Sequence, residues 1–291
     1  MRVASIRHAG ERRVGIVSDD GQSIAPVALS MEEAEHGVAA LIGKDPATLE
    51  TLTPLALSEV ELEAPFPRPF RNIFCVGKNY HAHAREFSRS GFDSSAAQGE
   101  VPSHPIIFSK VPETVIASGA QVVIDPGVSD AIDYEAELAV IIGKGGRGIR
   151  REDAMDHVWG YTIVNDVTAR DLQGQYSQWL IGKSQDTFCP MGPFAVTANE
   201  IDISDTMVTS WVNGEMRQNA NTRDLIFDVP TIIATISAGV TLKPGDIIAT
   251  GTPEGVGIGF KPPKYLRDGD VVRVDISGIG TLENRFAERR P

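Results

Sequence analysis

Two glutamates sit two residues apart at the start of the apolar run in "DYEAELAVIIG", residues 133–143. Side chains of a strand alternate between faces, so Asp133, Glu135 and Glu137 point one way while Tyr134, Ala136, Leu138 and Val140 point the other. Carboxylates converging on one face repel unless something positive stands among them: an arginine, a lysine or a metal ion. A solvated edge strand would carry the same pattern. A second segment, "GYTIVNDVTARDLQ", is apolar up to Asn165 and Asp166 and then turns polar, which is what a site where a strand leaves the core needs. If Asp166 lies beside Glu135 and Glu137, the three form an all-oxygen set suited to Mg²⁺ or Mn²⁺ first and Ca²⁺ second.

Further groups could serve the same chemistry. In "NYHAHAREF", His83 and Glu86 are three apart and share a helix face, so Glu86 can orient the imidazole and the pair can take a proton from water. His81 makes an H-x-H with His83, which is also a transition-metal spacing or a solvent-facing pair. Lys183, in "LIGKSQD", follows an apolar turn, and a desolvated ammonium needs a partner such as a substrate oxyanion. The glycines of "ATGTPEGVG" permit positive φ and close approach. They leave N–H groups, Gly251 included, and the Thr252 hydroxyl to meet a carboxylate. A tight glycine turn would look the same.

Five motifs in order, "DYEAELAVIIG", "NDVTARDLQ", "WLIGKSQDTFCPMGP", "VNGEMRQ" and "ATGTPEGVG", resemble the fumarylacetoacetate hydrolase family over most of residues 70–285. The resemblance implies that Glu135, Glu137 and Asp166 are the ligands of Mg²⁺ or a similar ion. It makes His83 with Glu86 the water-activating pair of the smaller acylpyruvase type, Lys183 the stabiliser of developing negative charge, and Arg170 and Gln173 holders of substrate oxygens. Some members carry another aspartate near the start of the catalytic domain; "FCVGKNY" has no carboxylate there, so three protein ligands are expected. The implied reaction is metal-dependent hydrolysis of a C–C bond in a 2,4-dioxo acid such as an acylpyruvate or fumarylpyruvate, through an enolate. Oxaloacetate decarboxylation or isomerisation of a 2-hydroxy-diene-dioate would use the same groups. A homodimer is common in that family.

These groups must be carried by a fold. Short strands broken by Gly and Pro outnumber helices, so the pattern is strand-rich α+β rather than a βαβ alternation. The resemblance refines this to the family's mixed β-sandwich or roll with few helices, plus a small N-terminal α/β domain. "APFPRPFRN" is a stiff connector, and the boundary expected there separates residues 1–66 from a catalytic domain at 67–291. "RVASIR" and "RVGIVS" read as a hairpin; "SMEEAEHGVAALIG", "REDAMDHVW" and "DVPTIIATISA" read as helices. Loop composition over 88–103 suggests a flap beside the site.

The bulk numbers set limits. With 27 Lys and Arg against 39 Asp and Glu, the net charge of -12 opposes phosphate neutralisation, so no nucleic-acid partner is expected. A small anionic substrate is still compatible, because local cations can reverse the field in one cleft. Cys75 and Cys189 form no C-x-x-C and signal no disulfide framework. No run approaches the ~18 apolar residues of a membrane span, and the charged N-terminus lacks a signal-peptide core, so a cytoplasmic protein without a membrane partner is expected. "GKGGRG", residues 143–148, satisfies G-x-G-x-x-G after a strand and raises a remote NAD-binding oxidoreductase. The next helix, however, begins only at "REDAM", so the last glycine does not open it.

Overall fold

The uninterrupted apolar run Ala136–Ile142 becomes an interior strand buried along its whole length, since a strand covered on both faces needs no alternating polar residues. It pairs antiparallel with Val158–Asn165 on one side and Ile247–Ala249 on the other. In the computed structural model, which describes residues 1–89, 91 and 101–289, these strands lie inside a 12-stranded sheet. Along it the order is Leu55–Ala56, Ser23–Pro26, Glu11–Val17, Arg2–His8, Cys189–Thr197, Val158–Asn165, Ala136–Ile142, Ile247–Ala249, Ile73–Gly77 and Ile106–Lys110. Antiparallel pairs predominate; Ile247–Ala249 and Ile73–Gly77 run parallel.

A second sheet of five strands carries Glu215–Asn221, Met207–Val212, Val271–Ile276, Gly280–Glu288 and Gln121–Ile124. Leu138 and Val140 of the first sheet pack with Val208, Val274, Leu282 and Phe286 of the second in one core. Ala139 and Ile141 join another core on the opposite face. The expected alternation of faces thus holds through this strand, and the strand-rich mixed fold with few helices is observed.

The N-terminal hairpin forms at the expected turn. Its strand Arg2–His8 pairs with Cys189–Thr197, Arg2 opposite Val196, so the N-terminal strands extend the sheet that carries the site strands. Phe66, at the expected boundary, is buried in a core shared with Ala139 and Ile141.

Helical expectations fare unevenly. Val229–Ser237 is a helix capped by Asp228, whose side chain accepts from the Thr231 N–H at 2.9 Å. "SMEEAEHGVAALIG" yields only Met31–Ala34 and a 3₁₀ segment, Gly37–Leu41. Gly37 has φ +61 and abuts the Pro65 carbonyl and the Pro67 ring, and this close approach ends the helix. "REDAMDH" is likewise a 3₁₀ helix. Most of the expected flap, residues 90 and 92–100, lies outside the described residues. Among those described, no helix is long and apolar enough to cross a membrane.

Candidate active site

Adjacent strands bring the acids together. Ala136 lies opposite Asn165, which places Asp166 beside Glu135, and its N–H donates to the Glu135 carbonyl at 2.9 Å. One oxygen each from Glu135, Glu137 and Asp166 falls within 4.8 Å of the others, and all three residues are buried. On the other flank, the N–H of Gly251 donates to Glu137 Oε2 at 2.7 Å. Gly251 has φ +102, and a Cβ there would come within 2.7 Å of Asn79 Cβ, so only glycine allows this approach.

Cations surround the acids. Lys183 Nζ lies 2.9 Å from Glu135 Oε2 and 2.8 Å from Asp166 Oδ2. Lys110 Nζ donates to Asp166 Oδ1 at 2.6 Å, to the Val167 carbonyl at 3.0 Å and to the Lys183 carbonyl. Arg170 bridges Asp133 Oδ2, 2.8 Å from Nε, and Glu135 Oε1, 2.7 Å from Nη1. Nη1 also donates to Gln173 Oε1 at 3.1 Å. Arg170 Nη2 is buried and has no hydrogen-bond partner among the described residues.

The electrostatics separate the two glutamates. Burial raises the proton affinity of Glu135, but Lys183, Arg170 and the His83 ring outweigh it and hold its pKa at about 2. Among the described residues Glu137 accepts one hydrogen bond, from the Gly251 N–H, and has more distant help from Lys183. Its own burial, then Asp166, then Glu135 push its pKa well above the ordinary carboxyl range. Burial lowers the proton affinity of Lys183, yet Asp166 and Glu135 raise it further, so the ammonium stays charged. Asp133, Glu135, Glu137 and Asp166 are buried among the cations Lys78, Lys110, Arg170 and Lys183. The three hard carboxylate oxygens of Glu135, Glu137 and Asp166, gathered so closely, fit a divalent cation.

Asp133 does not belong to that set. It lies in a separate short strand, Ile132–Asp133, paired with Thr168–Ala169, and meets Glu135 only through the Arg170 guanidinium that both acids hold. Its carboxylate accepts from the N–H groups of Tyr134, Gly257 and Ile258 at 2.8, 2.6 and 3.0 Å as well as from Arg170. Replacing Asp133 by Ala strips Arg170 of one buried partner and orphans the three amides. We expect a loss of about 3–5 kcal/mol, the cost of breaking a buried ion pair, in the midpoint of urea unfolding at unchanged m.

The expected dyad forms. His83 Nδ1 lies 3.1 Å from Glu86 Oε2 on the helix His81–Ser88. Glu86 Oε1 accepts the N–H of Gly255 at 3.0 Å. His81, two residues earlier, is exposed while His83 is buried, so the H-x-H spacing does not gather two imidazoles. Asn79 fixes the approach to this helix: its Nδ2 donates to the carbonyls of Thr250 and Phe227, and its Oδ1 accepts the Phe227 N–H. Lys78, just before it, holds φ +54, the left-handed region that costs a residue with a Cβ on the order of 1–3 kcal/mol.

His83, Lys78, Glu135, Arg170, Gln173, Lys183, Thr252 and the rings of Phe87, Phe108 and Trp179 line one small cavity of about 10 Å³, room for about one water. Thr252 Oγ1 accepts from Gln218 Nε2 at 2.7 Å, which leaves its own proton for the cavity. Gly251, expected to face substrate, spends its N–H on Glu137 instead. Sequence reasoning passed over Lys78, Asn79, Lys110 and Gln218. Lys110 carried a legible signal, an ammonium closing the apolar strand "PIIFSK", the same desolvation argument that singled out Lys183.

The "GKGGRG" loop is committed elsewhere. The N–H groups of Gly143 and Lys144 donate to the His157 carbonyl, that of Gly146 to Leu242 and that of Gly148 to Ser237. Those four amides are not available to cradle a pyrophosphate.

Comparison with known proteins gives the family. The model of the fumarylacetoacetate (FAA) hydrolase C-terminal family matches residues 72–287. Oxaloacetate tautomerase YisK of Bacillus subtilis is 52% identical over 232 residues, 79% of this chain and 74% of that protein. Among solved structures, a fumarylacetoacetate hydrolase from psychrophilic Exiguobacterium antarcticum is 38% identical with a TM-score of 0.82, covering 99% of this chain and 100% of that one. A 2-hydroxyhepta-2,4-diene-1,7-dioate isomerase from Mycobacterium marinum is 31% identical with a TM-score of 0.79, covering 100% of both. With the family model matched over residues 72–287 and a relative 52% identical over most of both chains, the chain belongs to the fumarylacetoacetate hydrolase family.

Proposed function

We propose that the protein interconverts the enol and keto forms of oxaloacetate or a closely similar 2-oxo dicarboxylate, with Mg²⁺ or Mn²⁺ held by Glu135, Glu137 and Asp166. One observation carries this reading: Glu135 of the acid triad and His83 of the dyad line the same small cavity. A place for enolate oxygens and a proton carrier therefore share one small space. The relative at 52% identity is named an oxaloacetate tautomerase, which favours proton transfer over the C–C hydrolysis expected from the motifs and stands closer to the alternative of oxaloacetate or dienedioate chemistry.

A bound divalent ion would supply Lewis acidity toward the oxygens of a 2-oxo acid. The chain's own residues do the rest. Lys183, kept charged by Asp166 and Glu135, sets a positive group beside an oxygen that gains negative charge. Arg170 Nη2, with no partner, is the natural donor to a substrate carboxylate, and the Thr252 hydroxyl can donate a further hydrogen bond. Gln173 fixes the guanidinium plane. His83, its Nδ1 engaged by Glu86, exchanges a proton at Nε2 with carbon 3 of the substrate: uptake leaves the enolate, whose oxygen takes a proton from water to give the enol, and in reverse the enol hydroxyl gives up that proton to water before delivery to carbon 3 gives the ketone. Phe87, Phe108 and Trp179 keep bulk water from that carbon.

The test is the decay of enol absorbance after oxaloacetate is dissolved in aprotic solvent and diluted into enzyme with Mg²⁺ or Mn²⁺. We expect acceleration beyond the metal-only rate, abolished by EDTA; a rate equal to that of metal alone would refute the reading. A second reading keeps support from the dyad. The cavity has room for about one water, and His83 with Glu86 could activate it for C–C hydrolysis of an acylpyruvate. Release of pyruvate from acetylpyruvate measures that activity directly.

A further inference from the structure

Lys110 is fully buried, yet it takes no part in the proton transfer proposed above. It closes the strand Ile106–Lys110 at the end of the large sheet. An ammonium has three donors, and all three are spent here: on Asp166 Oδ1 at 2.6 Å, on the Val167 carbonyl at 3.0 Å and on the Lys183 carbonyl. One cation thus ties that strand both to the segment of Asp166 and to the helix Leu180–Lys183. With every donor engaged and no solvent beside it, this ammonium cannot turn away from Asp166.

The other two acids are held in the same fashion. The Gly251 N–H donates to Glu137 Oε2 at 2.7 Å, and Arg170 Nη1 lies 2.7 Å from Glu135 Oε1. Each carboxylate therefore has one oxygen fixed by a buried donor, and each donor comes from a different part of the chain. The remaining oxygens of Glu135 and Asp166 converge, since Lys183 Nζ reaches both, at 2.9 and 2.8 Å. Carboxylates pinned in this way resist spreading to admit a wider ion. Mg²⁺ binds oxygen at about 2.0–2.1 Å, whereas Ca²⁺ takes roughly six to eight oxygens at about 2.3–2.6 Å. Selection between them rests on cage size, ligand number and flexibility.

We infer that Lys110 is a positioning residue that sets the ion size this site accepts: by holding Asp166 rigid, it favours Mg²⁺ over Ca²⁺. The inference rests on the ion site proposed above and not on the reaction run there. Both ions carry the same charge, so removing a nearby positive group shifts the two affinities alike. Their ratio moves only when the cage changes shape or stiffness.

Lys110→Met tests this by calorimetric titration of Mg²⁺, and separately of Ca²⁺, into chelator-stripped protein. We expect the wild type to prefer Mg²⁺ and the variant to lose about 10–100-fold of that preference, the scale on which groups behind a metal ligand act. Met leaves Asp166 short of a buried partner, which can unfold the metal-free variant. In that event the concentrations of each ion that restore folding give the same ratio, because binding to the folded chain drives folding. A Lys110 that only balanced the charge of Asp166 would, on removal, tighten both ions equally. A wild type without preference for Mg²⁺, or a variant with the wild-type ratio, overturns the inference. So does a variant that neither ion can fold, which would make Lys110 a requirement of the fold alone. Failure of both ions to bind the wild type would instead defeat the ion site itself.

Discussion

Replacing Glu137 by Gln should make the metal-free protein more heat-stable while removing its response to divalent cations and its turnover. The carboxylate is buried with Asp166 and Glu135 against it, and the Gly251 N–H is its one direct hydrogen-bond donor among the described residues. Gln has the same shape, can accept the same N–H, and carries no charge to be repelled. The sign follows from the raised pKa. A group held more tightly protonated in the folded state stabilises at low pH and loses that contribution as pH rises through its folded pKa. In chelator, the advantage of Gln should vanish well below the ordinary glutamate range and widen toward neutral pH. Each kcal/mol regained is worth about 2–4 °C in thermal midpoint for a chain of this size class. Adding Mg²⁺ or Mn²⁺ should raise the wild-type midpoint by mass action and leave the variant unmoved. A variant that is less stable in chelator at neutral pH, or that still responds to the ions, would show that Glu137 is not a strained ligand.

The second large effect belongs to His83. Substituting Asn should lower kcat by about 10²–10⁴-fold with little change in KM, because the groups that grip the substrate head, Arg170, Lys183 and Thr252, are untouched. Glu86 keeps the Gly255 N–H, so the fold should survive, and cation binding should match wild type. A kcat within threefold of wild type would remove His83 from the chemistry.

Much of this site was legible because strand geometry is local. Period-two alternation set Glu135 and Glu137 on one face, and the abrupt polarity after Val164 marked Asp166 as the residue where a strand leaves the core. Helical spacing paired His83 with Glu86. Asp133 shows what alternation leaves open, since a shared face did not tell that its carboxylate would be spent on Arg170 and three backbone amides. The rest depends on distant chain. Lys110 meets Asp166 across 56 residues, Gln218 reaches Thr252 across 34, and Asn79 spans 171 to the Thr250 carbonyl; no local spacing encodes those meetings. The helices "SMEEAEHGVAALIG" and "REDAMDH" were over-read for a related reason. Gly37 leaves the helical region because Pro65 and Pro67, nearly thirty residues on, occupy the space a continuing turn would need.

Everything turns on whether a divalent ion is drawn into the space among three buried carboxylates. Calorimetric titration of Mn²⁺ into chelator-stripped protein tests this most directly. One saturable site per chain, absent from Glu137→Gln and retained in His83→Asn, is the predicted result. No saturable binding to the wild-type chain, or equal binding to Glu137→Gln, would contradict it.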